Sequence, residues 1–333
     1  MIEIKQPIIE VRDLVVEYKS HPLPVRALDA VDFTASADET VGFVGESGSG
    51  KSTLAMALGG VSRSGVRPSR GSVQTFGRDV FALRGQDRRR FLSEDIGFVF
   101  QNPIGSLDPT RRIGHQFFTP DGQPLNEKRV EELLSSVGLE DTGRIMASFP
   151  HEVSGGMAQR VCIAMAISVN PPLLIADEPT AALDASVKTQ ILDLLTELRA
   201  RARSTLILVS HDLHSVRKYC DRVCVMYGGR IVEAGPSRDV FDCPRHPYTA
   251  ALLRSIPGFE GPGGRIEPIP GYPPSLNGQA SNCTFAPRCA LQIPVCRENR
   301  PPVSVEGDRT KCCWLPGNEI GMEISQAGRG YHA

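Results

Sequence analysis

Short unbroken apolar runs alternate with amphipathic stretches along this chain, the pattern of buried strands connected by helices. Ile8–Tyr18 is rich in β-branched residues and predicts a strand, and Ala30–Ser36 and Ser72–Phe76 predict further strands. Val41–Val44, Ile96–Phe100, Leu173–Glu178 and Thr205–Val209 have the length and apolar content of strands buried on both faces. Val223–Met226 and Arg230–Glu233 predict a hairpin joined by Tyr227-Gly228-Gly229. From Pro103 to Glu152 the texture changes to loop and helix, and Glu127–Val137 lines up Val130, Leu133, Leu134 and Val137 on one helical face. The class predicted is α/β, with a parallel core, a small antiparallel layer beside it and a helical insert.

Composition narrows the function without naming it. The chain has 333 residues, enough for one large core or two smaller ones, and a formal net charge of -1. That balance argues against a nucleic-acid surface spread over the whole protein, and no nucleic-acid partner is expected. No apolar run reaches the roughly 18 residues of a spanning helix, and Met1–Gln6 lacks a basic-then-apolar leader, so a cytosolic chain is expected. Its nine cysteines are then expected to stay reduced. Cys162, Cys220 and Cys224 sit in apolar surroundings as small buried residues. Cys283, Cys289, Cys296, Cys312 and Cys313 crowd together and are better read as metal ligands than as disulfides. Before them, Pro257–Pro274 is too dense in Pro and Gly for a helix or central strand and predicts an extended connector.

The chemistry centres on Gly45-Glu46-Ser47-Gly48-Ser49-Gly50-Lys51-Ser52-Thr53, which has the G-x-x-x-x-G-K-[ST] spacing between a predicted strand and a predicted helix. Glycines let backbone N–H groups turn inward around an anion, and the helix N-terminus adds unpaired donors. Lys51 would reach the β- and γ-phosphates, and the Ser52 hydroxyl would hold Mg²⁺. Tyr18 ends a strand upstream of this loop, where its ring could stack on an adenine or simply be half-buried. Gln101 ends another strand, where it could meet Mg²⁺ and an attacking water. Ser154-Gly155-Gly156 offers bare N–H groups and a hydroxyl at a helix start, a second anion site or an ordinary cap. The strand 173–178 delivers Asp177, suited to Mg²⁺, and Glu178, suited to the base that polarises water; Pro179–Asp184 follows without a break. His211, after the strand 205–209, could donate to a γ-phosphate and hold the water in line with Glu178.

Taken together and in this order, the 45–53 loop, Gln101, Ser154-Gly155-Gly156, the 173–178 strand, Asp184 and His211 resemble the nucleotide-binding subunits of ABC transporters. Phe100-Gln101-Asn102-Pro103, Ser154-Gly155-Gly156-Met157, Ala164-Met165-Ala166-Ile167, His246-Pro247-Tyr248-Thr249 and the cysteine-bearing tail are similar to the oligopeptide/dipeptide importer ATPases, and Met157 to their "D" member. The resemblance covers essentially the whole chain. It implies an ATPase domain over 1–256 with a helical subdomain at about 103–169, a connector over 257–282, a cysteine-rich domain over 283–315 and a tail over 316–333.

It further implies Mg²⁺ and ATP gripped between two chains set head to tail, the partner an unlike ATPase. The Ser154-Gly155-Gly156 loop of one would cap the γ-phosphate on the Lys51 loop of the other, with Asp184 among the nucleotide-binding residues. Two membrane permeases, and through them an extracytoplasmic solute-binding protein, complete the implied assembly, which places the chain peripherally on the cytoplasmic face of the cell membrane. The spacing of Cys283, Cys289, Cys296 and Cys312 resembles tails in which a [4Fe–4S] cluster is found; zinc or free thiols remain alternatives, and Cys313 could replace Cys312. The segment Gln116–Asn126 is short for the helical insert of these importers, and Val153 stands where leucine or phenylalanine is usual. A soluble ABC ATPase of a non-transport complex, or a poorly hydrolysing ATP-binding partner, are the alternative functions.

Overall fold

The computed structural model describes residues 7–21, 23–61, 67–181, 183–259, 265–278 and 280–317. Readings placed on Met1–Gln6, on Ala182, on 260–264 and on the tail beyond 317 therefore lie outside the described residues.

Twelve strands among the described residues form two sheets. In chain order they are β1 (Pro7–Tyr18), β2 (Val25–Ser36), β3 (Thr40–Val44), β4 (Arg70–Thr75), β5 (Arg78–Asp79), β6 (Ile96–Val99), β7 (Leu173–Asp177), β8 (Thr205–Val209), β9 (Arg222–Tyr227), β10 (Arg230–Pro236), β11 (Val303–Glu306) and β12 (Arg309–Cys312). The smaller sheet is antiparallel in the order β2-β1-β4-β5. The larger runs β11-β12-β10-β9-β3-β8-β7-β6, parallel from β9 through β6 and antiparallel at the other end. β3, β7 and β8 are buried at every position, as their unbroken apolar runs require.

β2 begins at Val25, ahead of the expected Ala30, because cross-strand pairing with β1 carries the ladder through Glu17↔Arg26 and Tyr18↔Val25. There an ion pair of 2.8 Å between Arg26 and Glu17 replaces apolar alternation. Helix 51–58 packs against both sheets, which is why Leu54-Ala55-Met56-Ala57-Leu58 has no polar face. A second core joins the far side of the parallel sheet to the helices between 103 and 167, where Val130, Leu133 and Leu134 of helix 127–136 are buried as predicted.

The cysteine segment departs from expectation. Residues 283–315, anticipated as a small domain of their own, supply the hairpin β11-β12, and β12 pairs with β10 through Glu233↔Lys311 and Ala234↔Thr310. The connector likewise folds back, since Arg26 N donates to Leu276 O at 2.8 Å. No helix among the described residues is long and apolar enough to cross a membrane.

Candidate functional site

The phosphate loop leaves β3 and enters helix 51–58 through Gly50, whose φ of 102° lies in the left-handed region that favours glycine. Gly45, at φ 145°, approaches β9 so closely that a Cβ there would stand 2.1 Å from the Met226 carbonyl oxygen. Glycine is thus required for the loop to lie against the sheet. Lys51 folds back over the loop, donating from Nζ to Gly45 O and to Glu46 O, each at 2.9 Å. Burial lowers its pKa, and the charges of Glu178, Asp177 and Glu46 oppose the shift. A buried ammonium held mainly by two carbonyls is poised to exchange them for phosphate oxygens.

Across the loop, Ser52 Oγ donates to Asp177 Oδ1 at 2.8 Å. A hydroxyl and a carboxylate converge where a hard cation would find oxygen ligands, so these residues fit Mg²⁺. Gln101 Nε2 donates to Glu178 Oε2 at 2.8 Å, and His211 Nδ1 stands 3.6 Å from the same oxygen. Glu178 has φ 47°, and its N–H donates to Val209 O at 2.9 Å. A non-glycine residue held there stores about 1–3 kcal/mol of backbone strain, and such strain clusters at functional sites. Lys51, Ser52, Gln101, Glu178 and His211 share a groove of about 530 Å³, whose wall also contains Leu276 of the connector. Tyr18 adjoins it, with its hydroxyl 3.3 Å from Thr53 Oγ1.

Two expected members lie elsewhere. Ser154 caps helix 155–167, accepting from Met157 N at 3.3 Å, and Asp184 caps helix 185–202, accepting from Val187 N at 3.1 Å. Neither residue lines the groove. A Cβ on Gly155 would meet nothing within 4 Å, so this loop faces open space in the single chain.

The thiols sort differently from their spacing. No group of three or more His, Cys, Asp or Glu among the described residues stands ready to hold a metal ion. Cys283, Cys296 and Cys313 all lie within electrostatic reach of Cys289, whose thiol burial pushes up to about 12. Cys312, expected as the fourth ligand, instead donates its thiol to Ile231 O at 3.3 Å, beside Arg230 and Arg300.

The sequence reading missed Glu46, Tyr248 and Arg288. Tyr248 Oη accepts from Glu46 N at 2.9 Å, and Arg288 pairs with the Glu46 carboxylate at 2.7 Å. The signal was a single acid inside a loop that binds anions.

The doubly layered sheet, the glycine-dependent loop and the acid–amide–imidazole cluster at its mouth define a P-loop nucleotide-hydrolysing protein. Comparison with known proteins agrees. Residues 28–181 match the ABC transporter family, and residues 232–296 match the oligopeptide/dipeptide transporter C-terminal region. The chain is 38% identical to the dipeptide transport ATP-binding protein DppD of Haemophilus influenzae, over 96% of this chain and 99% of that protein. It is 40% identical to the oligopeptide transport ATP-binding protein OppD of Salmonella typhimurium, over 94% and 95% respectively. Among solved structures, the ATP-binding cassette MJ0796, a dimer in a post-hydrolysis state bound to ADP and Pi, is 29% identical with a TM-score of 0.62, over 69% of this chain and 99% of that one. The chain belongs to the ATPase subunits of the ABC transporter family.

Proposed function

We propose that this chain is the ATP-hydrolysing subunit of an importer for peptides or similar small solutes, and that ATP closes it onto a second ATPase. The observation that carries this reading is the division of the site. Lys51, Ser52, Gln101, Glu178 and His211 gather in one groove, while Ser154 and Gly155 are exposed, with open space before Gly155. A head-to-tail dimer would bring the outward loop of one chain onto the nucleotide held by the other. The partner would be an unlike ATPase, so that the two half-sites need not turn over equally.

In the groove, the loop N–H groups and Lys51 bind the β- and γ-phosphates, and Tyr18 lies where the base would stack. Mg²⁺, held through Ser52, Asp177 and Gln101, supplies charge neutralisation on the transferring phosphoryl group. Glu178 accepts the proton of the attacking water, Gln101 orients that carboxylate, and His211 steadies the water and the γ-phosphate. ATP shifts the pair toward closure only if it binds the closed form better, and Ser154-Gly155-Gly156 provides donors present only there.

Membrane permeases would dock in the cleft of about 370 Å³ between β6 and the helical region, lined by Phe98, Phe100, Phe117, Phe118 and Met165. Phe100 and Phe118 remain more than a third exposed, and Phe100 adjoins Gln101, so a docked segment touches the catalytic groove through one residue. That contact would hold the chain at the cytoplasmic face of a membrane, with a solute-binding protein on the other side. Co-purification with two multi-span membrane proteins, lost in Phe118→Asp, tests the assembly. Recovery of wild type without such partners would refute it.

Cys283, Cys296 and Cys313 lie within electrostatic reach of Cys289, and an iron–sulfur cluster on these four would offset the burial that raises the thiol pKa of Cys283, Cys289 and Cys313. Iron and acid-labile sulfide in anaerobically purified protein should survive Cys312→Ser and be lost in Cys313→Ser. Absence of both elements from wild type would leave a thiol-only segment.

A further inference from the structure

An acid stands inside the anion-binding loop. Glu46 is the second residue of that loop, and its charge acts on Lys51. A carboxylate left loose there would draw the ammonium toward itself and repel a polyphosphate. What meets it comes from the far end of the chain. Arg288 Nη1 donates to Glu46 Oε2 at 2.7 Å and Nη2 to Oε1 at 3.0 Å, a two-pronged pair that fixes the plane of both groups. The guanidinium is itself held, with Nε donating to Pro270 O at 2.8 Å and Nη1 to Tyr227 Oη at 3.2 Å. Arg288 is 8% exposed, so the pair is only weakly screened.

Helix 247–254, which packs on that segment, braces the loop backbone. Glu46 N donates to Tyr248 Oη, and the Tyr248 ring packs with Tyr227 and Phe285 at centroid separations of 4.4 and 5.4 Å. Phe285 precedes the turn Ala286–Arg288 that aims the guanidinium. Both the carboxylate and the main chain of Glu46 are therefore tied to residues near the cysteines.

Resting on the assignment of the 45–53 loop to ATP, we infer that Arg288 is a positioning residue for nucleotide binding. By neutralising and orienting Glu46 it keeps Lys51 available to phosphate, so the cysteine-bearing segment sets the affinity for ATP. Arg288 is not among the residues that line the groove of Lys51 and Glu178. Its loss acts on binding and leaves the chemical step at Glu178 in place.

The test uses the assembled transporter, with equilibrium binding of a fluorescent ATP analogue and steady-state hydrolysis. Coupling between linked sites is commonly about 5- to 150-fold, and Arg288→Gln is expected to raise Kd and KM for ATP about tenfold. kcat at saturating ATP should stay within about twofold of wild type, since transition-state contacts are untouched. The double variant Glu46→Gln/Arg288→Gln should return Kd to within about threefold of wild type, because the repulsive carboxylate has gone with its partner. Arg297→Gln, in the same segment but with its side chain donating to Gln292, serves as the control and should not change Kd. If Arg288→Gln does not fold, Arg288→Lys carries the test, since an ammonium can neutralise Glu46 but cannot make both bonds, and a rise of about threefold is expected. Unchanged Kd in the Arg288 variants would overturn the inference, as would a loss that Glu46→Gln fails to repair. Wild-type protein that binds no ATP would overturn the nucleotide assignment as well, which the variants alone cannot do.

Discussion

Replacing Glu178 by glutamine removes one function and little else. Glu178 Oε2 accepts from Gln101 Nε2 at 2.8 Å, and an amide oxygen can accept the same bond. Side-chain size is conserved, so the unusual backbone at φ 47° is under no new demand. What disappears is the acceptor for the proton of water. A positioned general base contributes about 10²–10⁴-fold, which is about 3–5 kcal/mol in the barrier. Binding should move the other way. Glu178 is the largest charge acting on Lys51, and without it one fewer carboxylate faces the polyphosphate. Single-turnover hydrolysis in the assembled complex should therefore slow by at least roughly a hundredfold while ATP affinity holds or tightens. Turnover within about threefold of wild type would refute Glu178 as the base. A parallel loss of affinity would refute the division between binding and chemistry.

Three further perturbations probe separate parts of the site. Gly45→Ala places a Cβ 2.1 Å from the Met226 carbonyl oxygen at φ 145°, so the loop must shift, and ATP affinity measured by titration should fall by roughly tenfold or more. At Gly155 a Cβ meets nothing within 4 Å, so in Gly155→Asp the melting temperature and ATP binding of the isolated subunit should be unchanged while hydrolysis in the complex collapses; normal turnover would remove this loop from the seam. His246 is buried, and burial holds its pKa at about 4. Its neutral form is favoured by folding, so that contribution is complete above about pH 6.5 and is lost as pH falls toward 4, a change of about 3 kcal/mol. His246→Asn can still accept from Tyr248 N as the helix cap, and urea midpoints at pH 7 and pH 5 should differ less for it than for wild type. Comparing the two proteins isolates the imidazole from Glu233 beside it.

Local features were legible in the order of residues. The phosphate loop is contiguous, so its spacing alone states that backbone N–H groups will face inward between a strand and a helix. β3, β7 and β8 were readable because strands buried on both faces need unbroken apolar runs. Asp177 and Glu178 were readable at one edge of the sheet because the ends of parallel strands face it. Other features depend on chain segments meeting. The Arg288–Glu46 pair spans 242 positions, and nothing near either residue specifies the other. The hairpin β11-β12 carries Val303 and Val305 exposed, so its pattern is not that of a buried strand, and only pairing with β10 makes it part of the sheet. β12 ends at Cys312, whose thiol bonds the Ile231 carbonyl, and Cys313 follows outside the strand, within electrostatic reach of Cys283 and Cys296. The sequence by itself therefore determined the nucleotide loop, the buried strands and the acids at their ends, because short-range sterics and burial act within a few residues. Tertiary structure alone decided which carbonyl the Cys312 thiol meets, where the C-terminal segment docks and what neutralises Glu46, because those outcomes depend on surfaces that exist only after the chain has closed on itself.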